Sequence, residues 1–127
     1  MRDQPTGVEL ETLIQRIENG DLNIQVPKDN KYLKLMLVNA LGILKRQRET
    51  GDLPERQERD RLRVIMKKKG ALKELNQDLS EAIRKGNFDI DSNSRDQVRS
   101  HLWLTAIDRV YESRPKVLKE LSEVLVP

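Results

Sequence analysis

Cysteine is absent from this chain. That removes disulfides, thiolate metal sites and cysteine nucleophiles, and it is compatible with a reducing compartment, so a cytoplasmic location is expected. Aromatic residues are nearly as scarce, with only Tyr32, Phe88, Trp103 and Tyr111 present. A core must then be aliphatic, and a base-stacking platform for single-stranded nucleic acid, which takes several surface aromatics, is disfavoured. Glycines never cluster into a phosphate-binding loop. Gly20, Gly51, Gly70 and Gly86 instead stand where helices should stop, which is the work of caps. No serine or threonine occupies a nucleophile elbow, and the single histidine has no partner histidine elsewhere. No apolar run is long enough to cross a bilayer, and residues 1–20 carry acids without a long apolar centre. Neither a membrane span nor a signal peptide is expected, and no cofactor is implied.

What the chain does have is charge and helical periodicity. Its 127 residues are 35% charged and 36% hydrophobic with a net charge of +3, which suits a single helical domain over residues 1–127. The organising stretch is residues 32–44, where Tyr32, Leu33, Leu35, Met36, Leu37, Val38, Ala40, Leu41, Ile43 and Leu44 are apolar and only Lys34 and Asn39 are strongly polar. A run without a polar side predicts a central helix covered around most of its circumference.

Around it the signals are local. Thr6 with Glu9 has capping-box spacing and opens a helix that should end at Gly20. Leu22, Ile24 and Val26 alternate with polar residues and predict an extended arm. The central helix should start after Pro27 and Asp29 and stop at Gly51. Asp52, Pro54 and Glu55 start a third helix, expected to reach Gly70, and a fourth runs from about Ala71 to Lys85 on Leu72, Leu75, Leu79, Ala82 and Ile83. Ser94 with Gln97 opens a fifth, carrying Val98, Leu102, Trp103, Ala106, Ile107, Val110 and Tyr111, and Pro115 breaks it. A short sixth carries Val117, Leu118, Leu121, Val124 and Leu125. The fold class is therefore all-α, a compact bundle of five to six helices.

One pattern recurs. Ile17-x-x-Gly20-Asp21-Leu22-Asn23-Ile24 returns as Ile83-x-x-Gly86-Asn87-Phe88-Asp89-Ile90, an offset of 66 that also sets Met36 on Leu102 and Ala40 on Ala106. Two readings stand: a chance likeness of two helix-end turns, or an internal duplication packed as two hairpins with short extended arms.

Candidate chemistry is thin. His101, beside Leu102 in an amphipathic helix, reads first as a partly buried structural residue. Asp89-x-Asp91-x-Asn93 imitates the start of a calcium loop, but Ser94 stands where glycine is needed and Ser100 where the closing glutamate belongs. Asn39, in the apolar run, is expected to bond the backbone of the arm, and Gly42 to admit a neighbouring helix. Both join His101 and Trp103 as structural or interaction candidates. Basic-patch candidates are Lys45, Arg46, Arg48, Lys67, Lys68 and Lys69. The acids Glu49, Asp52, Glu55, Glu58 and Asp60 interrupt them, which reads as a solvated, charge-paired face more than as a phosphate-binding one.

Arg61-Leu62-x-x-Ile65 and Gly70, followed by Leu75-Asn76-x-x-Leu79-x-x-Ala82-Ile83-Arg84-x-Gly86-x-Phe88-Asp89, resembles a small bacterial family classed as a domain of unknown function. Asn39-Ala40-Leu41-Gly42-Ile43 with the basic residues after it, and His101-Leu102 with Arg109, extend the likeness over roughly residues 33–118. Members of that family tend to be encoded near acyl-CoA dehydrogenases and aminoglycoside-phosphotransferase-like proteins, so the resemblance implies an accessory role, without catalytic residues to carry over.

The expected function is a non-enzymatic accessory or interaction module that binds another protein or itself. The second reading is a basic helical nucleic-acid-binding protein, and the third an enzyme whose site is assembled across helices.

Overall fold

The computed structural model describes residues 2–19, 31–90 and 92–125, and the expected arm at Leu22–Val26 and the Asp91 position of the calcium-like loop lie outside them. Six helices are present and no strand occurs among the described residues: α1 Gly7–Glu18, α2 Lys31–Thr50, α3 Leu53–Met66, α4 Leu72–Arg84, α5 Arg95–Ser113 and α6 Pro115–Leu125. The all-α class holds. None of these helices is long and apolar enough to cross a membrane. The described residues fall into two compact units, those up to residue 51 and those from residue 52 onward.

The N-terminal unit is the α1–α2 hairpin. Leu10 and Ile14, a turn apart on α1, bury themselves with Leu44 of α2, and Leu37, Ala40 and Ile43 pack around them. The α1 start departs from its capping signature. Thr6 makes no side-chain cap, and its carbonyl accepts from the amides of Glu9 and Leu10 at 3.1 and 3.3 Å. The cap comes from α2 instead: Gln47, only 6% exposed, accepts from the Gly7 amide through Oε1 at 2.9 Å. A helix N-terminus leaves amides unsatisfied, so a buried amide oxygen from the neighbouring helix both caps α1 and fixes its position along α2.

The expectation that residues 32–44 would be covered all round fails. Of α2 only Leu44 and Gln47 are buried, while Tyr32, Leu35, Met36, Val38 and Leu41 are exposed. Twelve residues of α1 can cover one stripe of a twenty-residue helix, and the stripe chosen is Leu33, Leu37, Ala40, Leu44 and Gln47.

In the C-terminal unit the core joins Leu62 and Ile65 of α3, Leu75 and Leu79 of α4 and Val98 of α5, with Met66, Leu72 and Phe88 half-buried against it. Leu62 and Leu75 are completely enclosed. The stripe predicted for α4 is the one buried, apart from the more exposed Ile83. The third helix stops earlier than expected. Lys67, at φ 55°, takes the left-handed position after Met66, so the glycine at 70 does not serve as the cap. Gly51 and Gly86 do adopt positive φ at the ends of α2 and α4. Pro115 starts α6 directly after the α5 end at Ser113.

The offset-66 likeness is not repeated in packing. α1 lies on α2, but its counterpart α4 lies chiefly on α3, and α5 lies on α3 and α6. Residues 87–90, expected to be extended, make successive turns instead, with the Asp89 amide bonded to the Gly86 carbonyl and the Ser92 amide to that of Asp89.

Candidate functional site

The fifth helix turns its polar side inward. Its covered stripe is Val98, His101, Thr105, Asp108 and Glu112, spaced alternately three and four residues apart as one side of a helix requires. Val98 joins the aliphatic core, and His101 and Glu112 are buried with 2% and 9% of their surface exposed. Four large apolar residues of the same helix, Leu102, Trp103, Leu104 and Tyr111, are exposed, Trp103 by 58%, while Ile107 and Val110 are half-buried like Thr105 and Asp108. Three successive large apolar residues cover well over half the circumference of a helix, since each step turns about 100°.

What draws the polar stripe inward lies on α3. Arg61, half-buried, donates from Nε to Nδ1 of His101 at 3.0 Å and from Nη2 to the Thr105 hydroxyl at 3.1 Å. A guanidinium only donates, so Nδ1 must present its lone pair, and the imidazole is neutral with its proton on Nε2. Burial, and then the positive charge of Arg61, lower the His101 pKa from 6.5 to about 4. Nearby, Asn76 of α4 donates to the buried Glu58 of α3 at 3.2 Å, a second polar tie inside the same unit.

Arg61 and His101 open onto a groove of about 270 Å³ between α3 and α5, lined also by Val64, Ile65, Gln97, Ser100 and Leu104. Apolar walls thus meet a guanidinium, an imidazole, an amide and a hydroxyl. No carboxylate among the described residues lies within ion-pair distance of Arg61. No group of three or more metal-ligating side chains occurs among the described residues.

The residues singled out by sequence fall in different places. His101, expected to be partly buried, is almost fully buried, and Trp103 is presented to solvent. Asn39 is exposed, contrary to the expected buried amide, because α1 covers the opposite side of α2. At Gly42 an added Cβ would meet the Arg46 guanidinium of the same helix at 3.2 Å, so the neighbour lying over it is a side chain and not the helix that was expected. Lys45 approaches Glu49 at 4.0 Å and Arg48 bonds Glu11 at 2.9 Å. Lys68 pairs with Asp78, Lys67 forms the left-handed turn, and Lys69 is exposed. Lys45, Arg46 and Arg48 belong to the N-terminal unit and Lys67, Lys68 and Lys69 to the C-terminal one.

Sequence reading missed Arg61, Thr105, Gln97, Ser100 and Leu104 as parts of one site. The available signal was the polar stripe through His101, Thr105, Asp108 and Glu112, whose spacing is that of a buried seam.

No curated protein and no solved structure matches the chain. A family model does match, over residues 24–117, which takes in α2 to α5 and the start of α6. By that match the chain belongs to the family described as Domain of unknown function (DUF6285).

Proposed function

We propose that this protein is a non-enzymatic helical module that works by binding another protein, a second copy of itself included, through the outward side of α5 with Trp103 as its anchor. The observation that supports this is the inversion of α5. Its polar stripe is held inward by Arg61, while Leu102, Trp103, Leu104 and Tyr111 stand in solvent. Four large apolar residues exposed along one helix, three of them consecutive, support reading α5 as an interaction surface. Tryptophan is the residue most enriched among the few that dominate binding energy at interfaces. The outward side of α2, with Tyr32, Leu35 and Met36 exposed beside Asn39, offers a second surface of the same character.

The acid–base pairs Lys45–Glu49, Arg48–Glu11, Arg56–Asp52 and Lys68–Asp78 support reading the charged residues as a solvated surface, which leaves nucleic-acid binding as the second reading.

A photo-cross-linking residue placed at position 103 tests the proposal, with the exposed Lys73 position as control. In native cells, position 103 should yield one discrete adduct that position 73 does not. Its mass identifies either this chain or a second protein. Equal, diffuse labelling from both positions would refute the docking role of α5.

A further inference from the structure

The groove beside His101 shares Leu104 with the exposed surface of α5 but adds a guanidinium and an imidazole to it. We infer that the groove between α3 and α5 binds a small aliphatic carboxylate, with its head on Arg61 and the Nε2–H of His101 and its tail along Val64, Ile65 and Leu104.

The head group follows from charge. Of the five N–H donors of a guanidinium, Arg61 commits one to His101 and one to Thr105, both uncharged acceptors. Its half-buried positive charge has no carboxylate within reach among the described residues. A half-buried guanidinium whose hydrogen-bond partners are two neutral acceptors keeps further N–H donors for an anion. His101 does not compete for an anion as a second cation, because Arg61 already occupies Nδ1 and leaves the ring neutral. The ring instead adds a donor at Nε2. Among the groove's lining residues, one positive charge with a neutral donor beside it suits a monoanion such as a carboxylate.

The tail follows from the walls. Val64, Ile65 and Leu104 supply aliphatic surface, and no aromatic residue lines the groove for a flat ring to stack on. At about 270 Å³ the groove is smaller than the roughly 300–1,000 Å³ of pockets that take drug-sized ligands, so the chain must be short. Gln97 and Ser100 on the same lining provide hydrogen-bonding capacity to either side of the head.

The test is an NMR titration of the intact, isotope-labelled protein with butyrate, hexanoate and octanoate, and with the matching primary amides. The acids should give saturable shifts centred on the Arg61 Nε–H, His101 and Leu104, and the amides should bind about tenfold more weakly. Each added methylene should tighten binding about threefold to fourfold until the groove is filled. Arg61→Gln should bring the acids down to the level of the amides, with circular dichroism checking that it folds. Leu104→Gln, at a position 45% exposed, should fold normally and flatten the chain-length series while keeping the acid–amide difference. Acetyl-leucine separates two sources of the same chemistry. If it outbinds hexanoate, the carboxylate belongs to a polypeptide terminus, and if hexanoate wins, to a free acid. Equal affinity for acids and amides, shifts that scatter without saturating, or indifference to chain length would each overturn the assignment.

Discussion

Arg61 on α3 fixes the tautomer of His101 on α5: its Nε donates to Nδ1 at 3.0 Å, in a site 2% exposed where burial first, and the charge of Arg61 second, keep the ring neutral. A buried base held neutral is a point at which acid weakens the fold. The folded-state pKa, lowered to about 4, lies below the unfolded value of 6.5. Unfolding therefore takes up a proton between those values, and the contribution of this site is whole above pH 6.5 and lost as pH falls towards 4. It amounts to on the order of 2–3 kcal/mol. His101→Asn, whose Oδ1 can accept from Arg61 without titrating, should flatten this part of the profile. Urea midpoints of both proteins between pH 7 and pH 4.5 give the comparison. Parallel profiles would show that His101 is not the titrating group.

Gln47 should behave as part of α1 although it belongs to α2. Its Oε1 is an acceptor for the Gly7 amide at 2.9 Å. Gln47→Ala should cost about 1–2 kcal/mol, the size of a lost helix cap. Hydrogen exchange should rise first at the amides of residues 7 to 10. Gln47→Glu, which keeps an acceptor oxygen, should retain most of the protection.

The inversion of α5 predicts opposite responses from two large apolar residues. Trp103→Ala, at a position 58% exposed, should alter stability by less than about 1 kcal/mol. Leu75→Ala, completely enclosed among Leu62, Ile65, Leu79 and Val98, should cost about 2–5 kcal/mol. Denaturant titrations of both variants decide this, and a large loss at Trp103 would mean that α5 is turned the other way.

Lys67 occupies a left-handed conformation at φ 55° that costs an ordinary side chain about 1–2 kcal/mol. Lys67→Gly removes that strain and adds unfolded-state entropy, so a net gain of up to about 1 kcal/mol is expected. A lowered melting temperature would show that the lysine side chain contributes more than its backbone conformation costs.

The sequence by itself determined where this chain is helical. Pro54 and Pro115 fall in first turns, Gly51 and Gly86 fall at ends, and Leu75, Leu79 and Ala82 recur on one side of α4. These are local constraints of backbone geometry, so they can be read from neighbouring residues alone. Which side of a helix is covered is different, because it depends on what another helix brings to it. Apolar periodicity pointed to Val98, Leu102, Trp103, Ala106, Ile107, Val110 and Tyr111 on α5. Of these Val98 is buried and Ile107 and Val110 half-buried, while the other four are exposed and the polar His101 and Glu112 are buried instead. Only tertiary structure could decide this, since the donor that satisfies His101 and Thr105 is Arg61, forty residues before the histidine. The Gly7 cap depends in the same way on Gln47, forty residues after it. Hydrogen bonds between residues so far apart leave no local pattern, and they decided both the orientation of α5 and the composition of the groove beside it.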